Sequence, residues 1–233
     1  MAVSLTGTPE VVDLGSAQNP GAVNITIPSD ATAVYMFYGT YVKDTVGNGL
    51  TSVTLNSNNP DESHEVSADT GGEKAAGVAA WNNPSTGTQA LDALWDAEPN
   101  SDGPPPDVIV AYVKGGDTTG WRDVGADHAA STTAVPTFAL DTNSDDLVLR
   151  FDEEESGSLP EVVTGWTSEQ TSSLSSGAYR GRLSSLDSPG SSTSDVVSPG
   201  SPFWNGMVAV SIAAAAGGAI FPPNSLVLTG VGR

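Results

Sequence analysis

The chain has 233 residues, no cysteine, and 28 acidic against 8 basic side chains, which gives a formal net charge of −20. This charge excludes a nucleic-acid-coating protein, because polyphosphate would be repelled, and the lack of cysteine excludes disulfide bonds. Such an excess of acids is typical of proteins from salt-loving organisms, in which molar salt screens the self-repulsion of the folded chain. The alternative is an ordinary acidic extracellular or virion protein.

Short apolar segments follow one another along the chain, separated by turns rich in Gly, Pro, Asn and Asp. Three segments alternate apolar with polar residues, which is typical of half-buried strands. These segments are Val23–Ile27, Leu50–Leu55 and residues 88–94. We expect each of them to place one face on the core and the other in solvent.

Four other segments are apolar at almost every position: residues 33–38, 108–113, 147–151 and 206–212. A strand of this kind is buried on both faces. We therefore expect the core of the protein to be built around these four segments.

Together the segments predict an all-β fold, an antiparallel, jelly-roll-like β-sandwich with about 10–13 strands and little helix. We expect a single domain over residues 1–233. Residues 184–202 are mostly Ser, Gly and Pro, so we expect them to form a long surface loop within that domain.

No segment is expected to cross a membrane. The longest apolar stretch, residues 207–221, has 15 residues and includes two adjacent glycines, whereas a spanning helix needs about 20. The first residues lack the positively charged region of a signal peptide. We therefore expect a protein that is soluble as made and has no membrane partner.

The sequence lacks the common catalytic motifs, including the Gly-x-Ser-x-Gly elbow and the glycine-rich phosphate loops. The densest acidic run, residues 152–155, could supply a carboxylate pair for glycoside chemistry. A run of like charges is, however, usually a solvated loop. We predict no enzymatic activity, no catalytic residue and no organic cofactor, and keep a glycoside-active enzyme as an alternative.

Two groups of residues are candidates for binding. Asp141, Asn143 and Asp145 place oxygen atoms at positions 1, 3 and 5 of a loop, as calcium sites do. The loop lacks the glycine and the glutamate that complete an EF-hand, so a plain polar loop is the alternative. Trp121 and Arg122 lie in a polar context and are candidates for an exposed contact with a partner or a sugar.

The order of these elements resembles that of β-sandwich virion surface proteins from tailed viruses of archaea and bacteria. The opening Ile-Thr-Ile-Pro at 25–28 leads into a two-faced strand at 31–37, and Leu-Thr-Ser-Val-Thr-Leu at 50–55 resembles the next strand of that family. Residues 81–88, Trp-Asn-Asn-Pro-Ser-Thr-Gly-Thr, resemble its turn, and residues 203–212 resemble its closing strand. The chain departs from the pattern after Leu55, where Asn-Ser replaces Gly-Gly.

The resemblance implies a non-enzymatic structural protein exposed on the particle, either a capsid turret or decoration protein or a tail or baseplate accessory protein. With the acidic composition, it implies a virus of a salt-loving archaeon and an extracellular location in the virion. The expected partners are other virion proteins and further copies of the chain in a symmetric homo-oligomer. A host surface glycan is a further candidate partner. The alternative function is a secreted or cell-surface carbohydrate-binding β-sandwich module, which predicts an exposed aromatic platform.

Overall fold

The computed structural model describes residues 2–15, 17–42, 49–68, 73–95, 106–129, 137–154, 165–172, 180–187, 192–196 and 205–215. These residues contain sixteen strands and no helix, which confirms the predicted all-β class. The strands are β1 Ser4–Leu5, β2 Glu10–Val11, β3 Val23–Ile27, β4 Ala33–Val42, β5 Leu50–Leu55, β6 Glu62–Ala68, β7 Glu73–Asn82, β8 Gly87–Trp95, β9 Asp107–Lys114, β10 Asp123–Ala129, β11 Thr137–Asp141, β12 Leu147–Glu154, β13 Thr167–Ser172, β14 Arg180–Asp187, β15 Ser192–Val196 and β16 Asn205–Ile212. The number exceeds the predicted range because polar strands such as β13 and β15 carry no apolar pattern.

The three alternating segments form one antiparallel sheet, in the order β3-β8-β5, which we call the outer sheet. Its inner face carries Ile25 and Ile27, which are buried, whereas Asn24 and Thr26 point to solvent. The alternation in sequence is therefore explained by a sheet that is covered on one side only.

The central sheet has the order β1-β9-β4-β7-β6, with β2 also paired to β9. In β4, Val34 and Met36 pack toward the outer sheet, while Tyr35 and Phe37 pack toward the opposite side. Strand β9 is divided between two hydrophobic clusters in the same way. Both faces of this sheet are covered, which confirms the prediction of two-faced strands at 33–38 and 108–113.

A third sheet, the basal sheet, has the order β10-β16-β12-β14-β13. Leu149, Phe151 and Val210 on its inner face pack against the central sheet. On its outer face, Val148 packs with Leu140 of the two-stranded β11–β15 ribbon. The described chain is thus a stack of three sheets with a ribbon on one side.

The prediction that residues 184–202 form a loop is wrong for the residues that the structure describes. Residues 184–187 complete β14, which pairs with β12, and Ser192–Val196 form β15, which pairs with β11. Ser184 and Ser185 are buried, because a strand is held by its backbone hydrogen bonds and can place small polar side chains in a covered layer. The prediction of one domain over residues 1–233 stays a prediction.

Candidate functional site

Two turns carry the chain between the outer and central sheets and lie side by side. In the first, the backbones of Leu55 and Asn58 exchange hydrogen bonds of 2.9 and 3.0 Å. Asn56 and Ser57 between them have φ of 50° and 66°. Positive φ at both central positions identifies a type I′ turn, in which asparagine is favoured. The turn therefore needs residues that tolerate left-handed backbone, and here these residues carry polar side chains.

The second turn joins β7 to β8 and contains the Trp-Asn-Asn-Pro segment. Its Asn83 has φ of 50°, and the Asn83 amide donates to the carbonyl of Thr32 at 2.8 Å. The Trp81 indole N–H donates to the carbonyl of Asn58 at 3.1 Å, and the backbone N–H of Asn82 donates to Asp61 Oδ2 at 2.6 Å. The bonds to Asn58 and Asp61 fix the two turns to each other.

A cleft of about 420 Å³ lies between the two turns. Six side-chain amides line it, from Asn56, Asn58, Asn59, Asn82, Asn83 and Gln89. Five of the twelve asparagines of the chain are therefore gathered at one place. Its size is within the range of about 300–1,000 Å³ that is usual for small-molecule sites. We call it the amide cleft.

A second hollow of about 490 Å³ adjoins the amide cleft and shares Asn59 with it. It lies between the edge strands β5 and β6 and is lined in part by Tyr38, His64 and Glu65. The Tyr38 hydroxyl donates to Glu65 Oε2 at 2.6 Å, and the Leu50 amide donates to the same oxygen at 3.1 Å. Burial, followed by the Glu65 charge, raises the pKa of Tyr38 well above its ordinary value, so the phenol stays protonated.

The predicted contact residues Trp121 and Arg122 lie away from the amide cleft. Trp121 is half-buried against the core between the central and basal sheets, and its amide donates to Glu62 Oε2 at 2.9 Å. Arg122 is partly exposed, but its guanidinium donates to both oxygens of Asp146, at 2.6 Å from Nε and 3.2 Å from Nη2. The structure therefore gives Arg122 an internal role in holding the next loop.

The predicted calcium loop is the loop that Arg122 holds. Asp141, Asn143 and Asp145 are exposed. With its amide oxygen turned to the guanidinium, Asn143 accepts from Arg122 Nη1 at 3.0 Å and Nη2 at 2.8 Å. The hydrogen bond to Asp146 raises the pKa of Arg122 most, and the charges of Asp141 and Asp145 add to it. Arg122 thus supplies positive charge to this loop, and within the described residues no three His, Cys, Asp or Glu side chains are grouped to hold a metal ion.

Replacing Asp146 is expected to destabilise the protein clearly. Its buried carboxylate accepts hydrogen bonds from Arg122, from the backbone N–H of Asn143 and from the Ser211 hydroxyl. Hydrogen bonds to a charged group contribute about 1.5–3 kcal/mol each. We therefore expect Asp146→Ala to lower the free energy of unfolding by at least about 2 kcal/mol, measured by chemical denaturation.

The neighbouring exposed residue provides the control. Asp145→Ala removes the same type of side chain from the same loop and should change stability by no more than about 0.5 kcal/mol. If Asp146→Ala were as stable as Asp145→Ala, the Arg122–Asp146 pair would not hold the loop.

The acidic run at residues 152–155 is not a solvated loop where the structure describes it. Asp152, Glu153 and Glu154 are buried in β12. Arg150 Nε donates to Asp152 Oδ2 at 2.8 Å, and the Arg150 guanidinium lies 4.6 Å from the ring centre of Trp166. The prediction failed because strand β14 places arginines opposite the acids of β12. The positive charges of these arginines compensate the buried carboxylates.

Those arginines are the half-buried part of an ionic layer on the outer face of the basal sheet, in which Arg150, Asp152 and Glu154 are buried. Arg182 pairs in register with Asp152, and Arg180 pairs with Glu154. Burial lowers the pKa of Arg182, while the charge of Asp152 acts in the opposite direction. With Arg150, three of the five arginines of the chain lie in this layer, so the layer has an internal and structural use.

Glu153 points the other way, into the interface between the basal and central sheets. Gly39 and Gly181 leave the space that its side chain fills. Burial, and then the charge of Asp107, raise the pKa of Glu153 well above its ordinary value. The Asp107 carboxylate accepts a hydrogen bond from the Ser172 hydroxyl. Asp107 and Glu153 are 1% and 2% exposed, so this carboxylate pair is enclosed and is poorly placed to reach a substrate.

We expect Glu153→Gln to stabilise the protein at neutral pH. Folding raises the pKa of Glu153, so the folded protein binds a proton on this carboxyl more tightly than the unfolded chain does. The stability that this protonation contributes is fully present below the ordinary glutamate pKa of about 4.3 and is lost as the pH rises. A glutamine keeps the shape without the charge and should add about 1–3 kcal/mol at neutral pH. Thermal melting of both proteins between neutral pH and about pH 4 should show that the extra stability of the Glu153→Gln protein shrinks as the solution becomes acidic.

Asp187→Asn, at an exposed position of β14, is the matched control and should show no such gain. A Glu153→Gln protein that is less stable than the parent at neutral pH would show that the charged form is the one that the fold needs.

Comparisons with protein-family models, with curated proteins and with solved structures found no match to this chain. Among the described residues there is no helix long and apolar enough to span a membrane. The amide cleft was not predicted from the sequence. The sequence did carry a signal for it, because the asparagines at 56, 58, 59, 82 and 83 flank two turns, one between β5 and β6 and one between β7 and β8. Only the fold shows that these two turns lie side by side.

Proposed function

We propose that this protein is a non-enzymatic structural component of a tailed-virus particle and is exposed on the particle surface. The observation that carries the proposal is the placement of the segments that resemble virion proteins. Residues 25–28, 31–37 and 50–55 fall on β3, β4 and β5, and residues 81–88 fall on the turn from β7 to β8, all in the outer and central sheets, while 205–212 of the closing segment form β16 of the basal sheet. They therefore form one continuous structural unit, as related segments of a common sandwich would.

The architecture suits a protein that acts by docking. Both faces of the central sheet are covered, and the sheets are joined by tight hydrogen-bonded turns. Such a body holds its loops and edges in a fixed geometry without any chemical step. Sites on a virion are repeated by symmetry, so we expect the chain to act as a symmetric homo-oligomer in contact with other virion proteins. A capsid turret or decoration protein and a tail or baseplate accessory protein are both compatible with this geometry.

The acidic composition supports a saline setting for such a particle. On the described surface, Lys114 lies 3.3 Å from Asp30, and Arg122 is bound to Asp146. Each of these cations neutralises a single carboxylate, and the chain as a whole keeps a net charge of −20. Molar salt would screen that excess.

Quantitative mass spectrometry of purified particles tests the proposal. We expect the chain to be present in particles in a fixed ratio to the other structural proteins and to remain after repeated gradient purification in high salt. Recovery only from host material, with loss from particles on each purification step, would overturn the proposed function.

A further inference from the structure

We infer that the amide cleft is a binding site for a neutral carbohydrate. The inference is independent of the proposed virion role, because it rests on the cleft and not on the resemblance. It would hold equally for a secreted protein.

The chemistry of the lining matches sugar hydroxyl groups. A side-chain amide offers two donors and an acceptor oxygen, and a hydroxyl both donates and accepts. Asn56, Asn59 and Asn83 are exposed at the cleft, and Asn82, which also lines it, has a buried Oδ1 with no hydrogen-bond partner among the described residues. After a small rotation of the Asn82 side chain, a hydroxyl entering the cleft could donate to that oxygen. Such a bond is favourable because buried polar atoms are nearly always hydrogen-bonded.

Charge selects a neutral ligand. Among the described residues the wall of the cleft has a single carboxylate, Asp61, and its Oδ2 already accepts from the backbone N–H of Asn82. No lysine or arginine of the described ranges lines the amide cleft. An anionic ligand would thus meet a protein of net charge −20 with no local cation to bind it. A neutral polyhydroxyl compound meets donors and acceptors without that penalty.

The cleft is preorganised, which lowers the entropic cost of binding. Asn58 Nδ2 donates to the carbonyls of Leu55 and Asn56, both at 3.3 Å, and Gln89 Nε2 donates to the carbonyl of Thr86 at 3.3 Å. Trp81 is 3% exposed and forms part of the floor. Recognition would therefore use hydrogen bonds from the exposed amides of a cleft whose walls are fixed, and not stacking on the exposed aromatic platform expected for a sugar-binding module.

The test uses the full chain in molar KCl and a panel of methyl glycosides of glucose, galactose, mannose and N-acetylglucosamine, with glucuronic acid and glucosamine as charged probes. Saturation-transfer NMR reports binding of each. We expect transfer to at least one neutral glycoside, none or much less to the anionic glucuronic acid, and no more to glucosamine than to the neutral glycosides. Transfer to no neutral glycoside, or a preference for a charged one, would overturn the inference.

Variants locate the binding. Asn59→Ala removes an exposed amide, and Asn83→Gly removes another while keeping the residue that best tolerates its φ of 50°. We expect the double variant to bind at least about tenfold more weakly, as loss of two hydrogen bonds implies. Asn24→Ala, on the solvent face of the outer sheet, should bind like the parent. If the double variant melts below the parent, the single Asn59→Ala protein takes its place. Binding that is unchanged in a folded cleft variant, or lost equally in Asn24→Ala, would place the sugar elsewhere and overturn the inference.

Discussion

The Val210→Asp protein is expected not to fold under conditions in which the parent is stable. Val210 is fully buried between the basal and central sheets, with Val124 beside it in register on β10. An aspartate there would lose its hydration without gaining a partner, which costs several kcal/mol on the scale of about 5–15 kcal/mol that holds a domain together. Circular dichroism and a thermal melt in high salt would measure the loss of the cooperative transition.

Milder and matched changes make this test specific. Ile109→Ala, on the same interface, should cost about 2–5 kcal/mol and leave a folded protein with a lower midpoint. Thr26→Asp introduces the same charge on the solvent face of β3 and should change stability by no more than about 0.5 kcal/mol. A Val210→Asp protein that melts like the parent would mean that the basal sheet does not pack on the central sheet.

A large increase of stability with salt is the second strong expectation. The 28 acidic residues are opposed by only eight basic residues, of which Arg150 is fully buried, and the net charge is −20. Between about 0.01 M and about 1 M KCl the Debye length falls from about 30 Å to about 3 Å, so the long-range repulsion is removed. We expect the unfolding midpoint to rise by roughly 10 °C across that range, which corresponds to about 2.5–5 kcal/mol for a chain of this size. Without disulfides, packing alone resists the repulsion at low salt.

Removing charge should reduce the salt effect, which separates screening from other actions of salt. Asp145 and Asp187 are exposed, and the double Asp145→Asn, Asp187→Asn protein should melt higher at low salt and show a shallower rise. Sedimentation over the same series should show any oligomer dissociating as salt is removed. A midpoint and an oligomeric state that stay constant over the whole range would contradict the halophilic setting.

The pattern of apolar residues predicted the class of each strand better than it predicted the number of sheets. The alternating segments at Val23–Ile27 and Leu50–Leu55 share one sheet with β8, and the two-faced segments at 33–38 and 108–113 are neighbours in the central sheet. A two-faced pattern reports that both sides of a strand are covered. It does not say what covers them, so a stack of three sheets could not be distinguished from a sandwich with covering loops.

The errors have a common physical cause. The acids of β12 and the serines of β14 are polar, and a polar segment was predicted to be exposed. Burial of such residues depends on partners that are distant in sequence, such as Arg182 opposite Asp152 and Ser172 beside Asp107. The amide cleft was missed for the same reason, because its walls come from two turns that only the fold brings together.

An electron cryo-microscopy map of purified particles tests the central claim, exposure of this chain on a virion, most directly. We predict density on the outer surface, repeated by the particle symmetry, into which three stacked sheets about 10 Å apart can be fitted. A map in which every surface density is accounted for by other proteins, or in which this chain is found only inside the particle, would contradict the account.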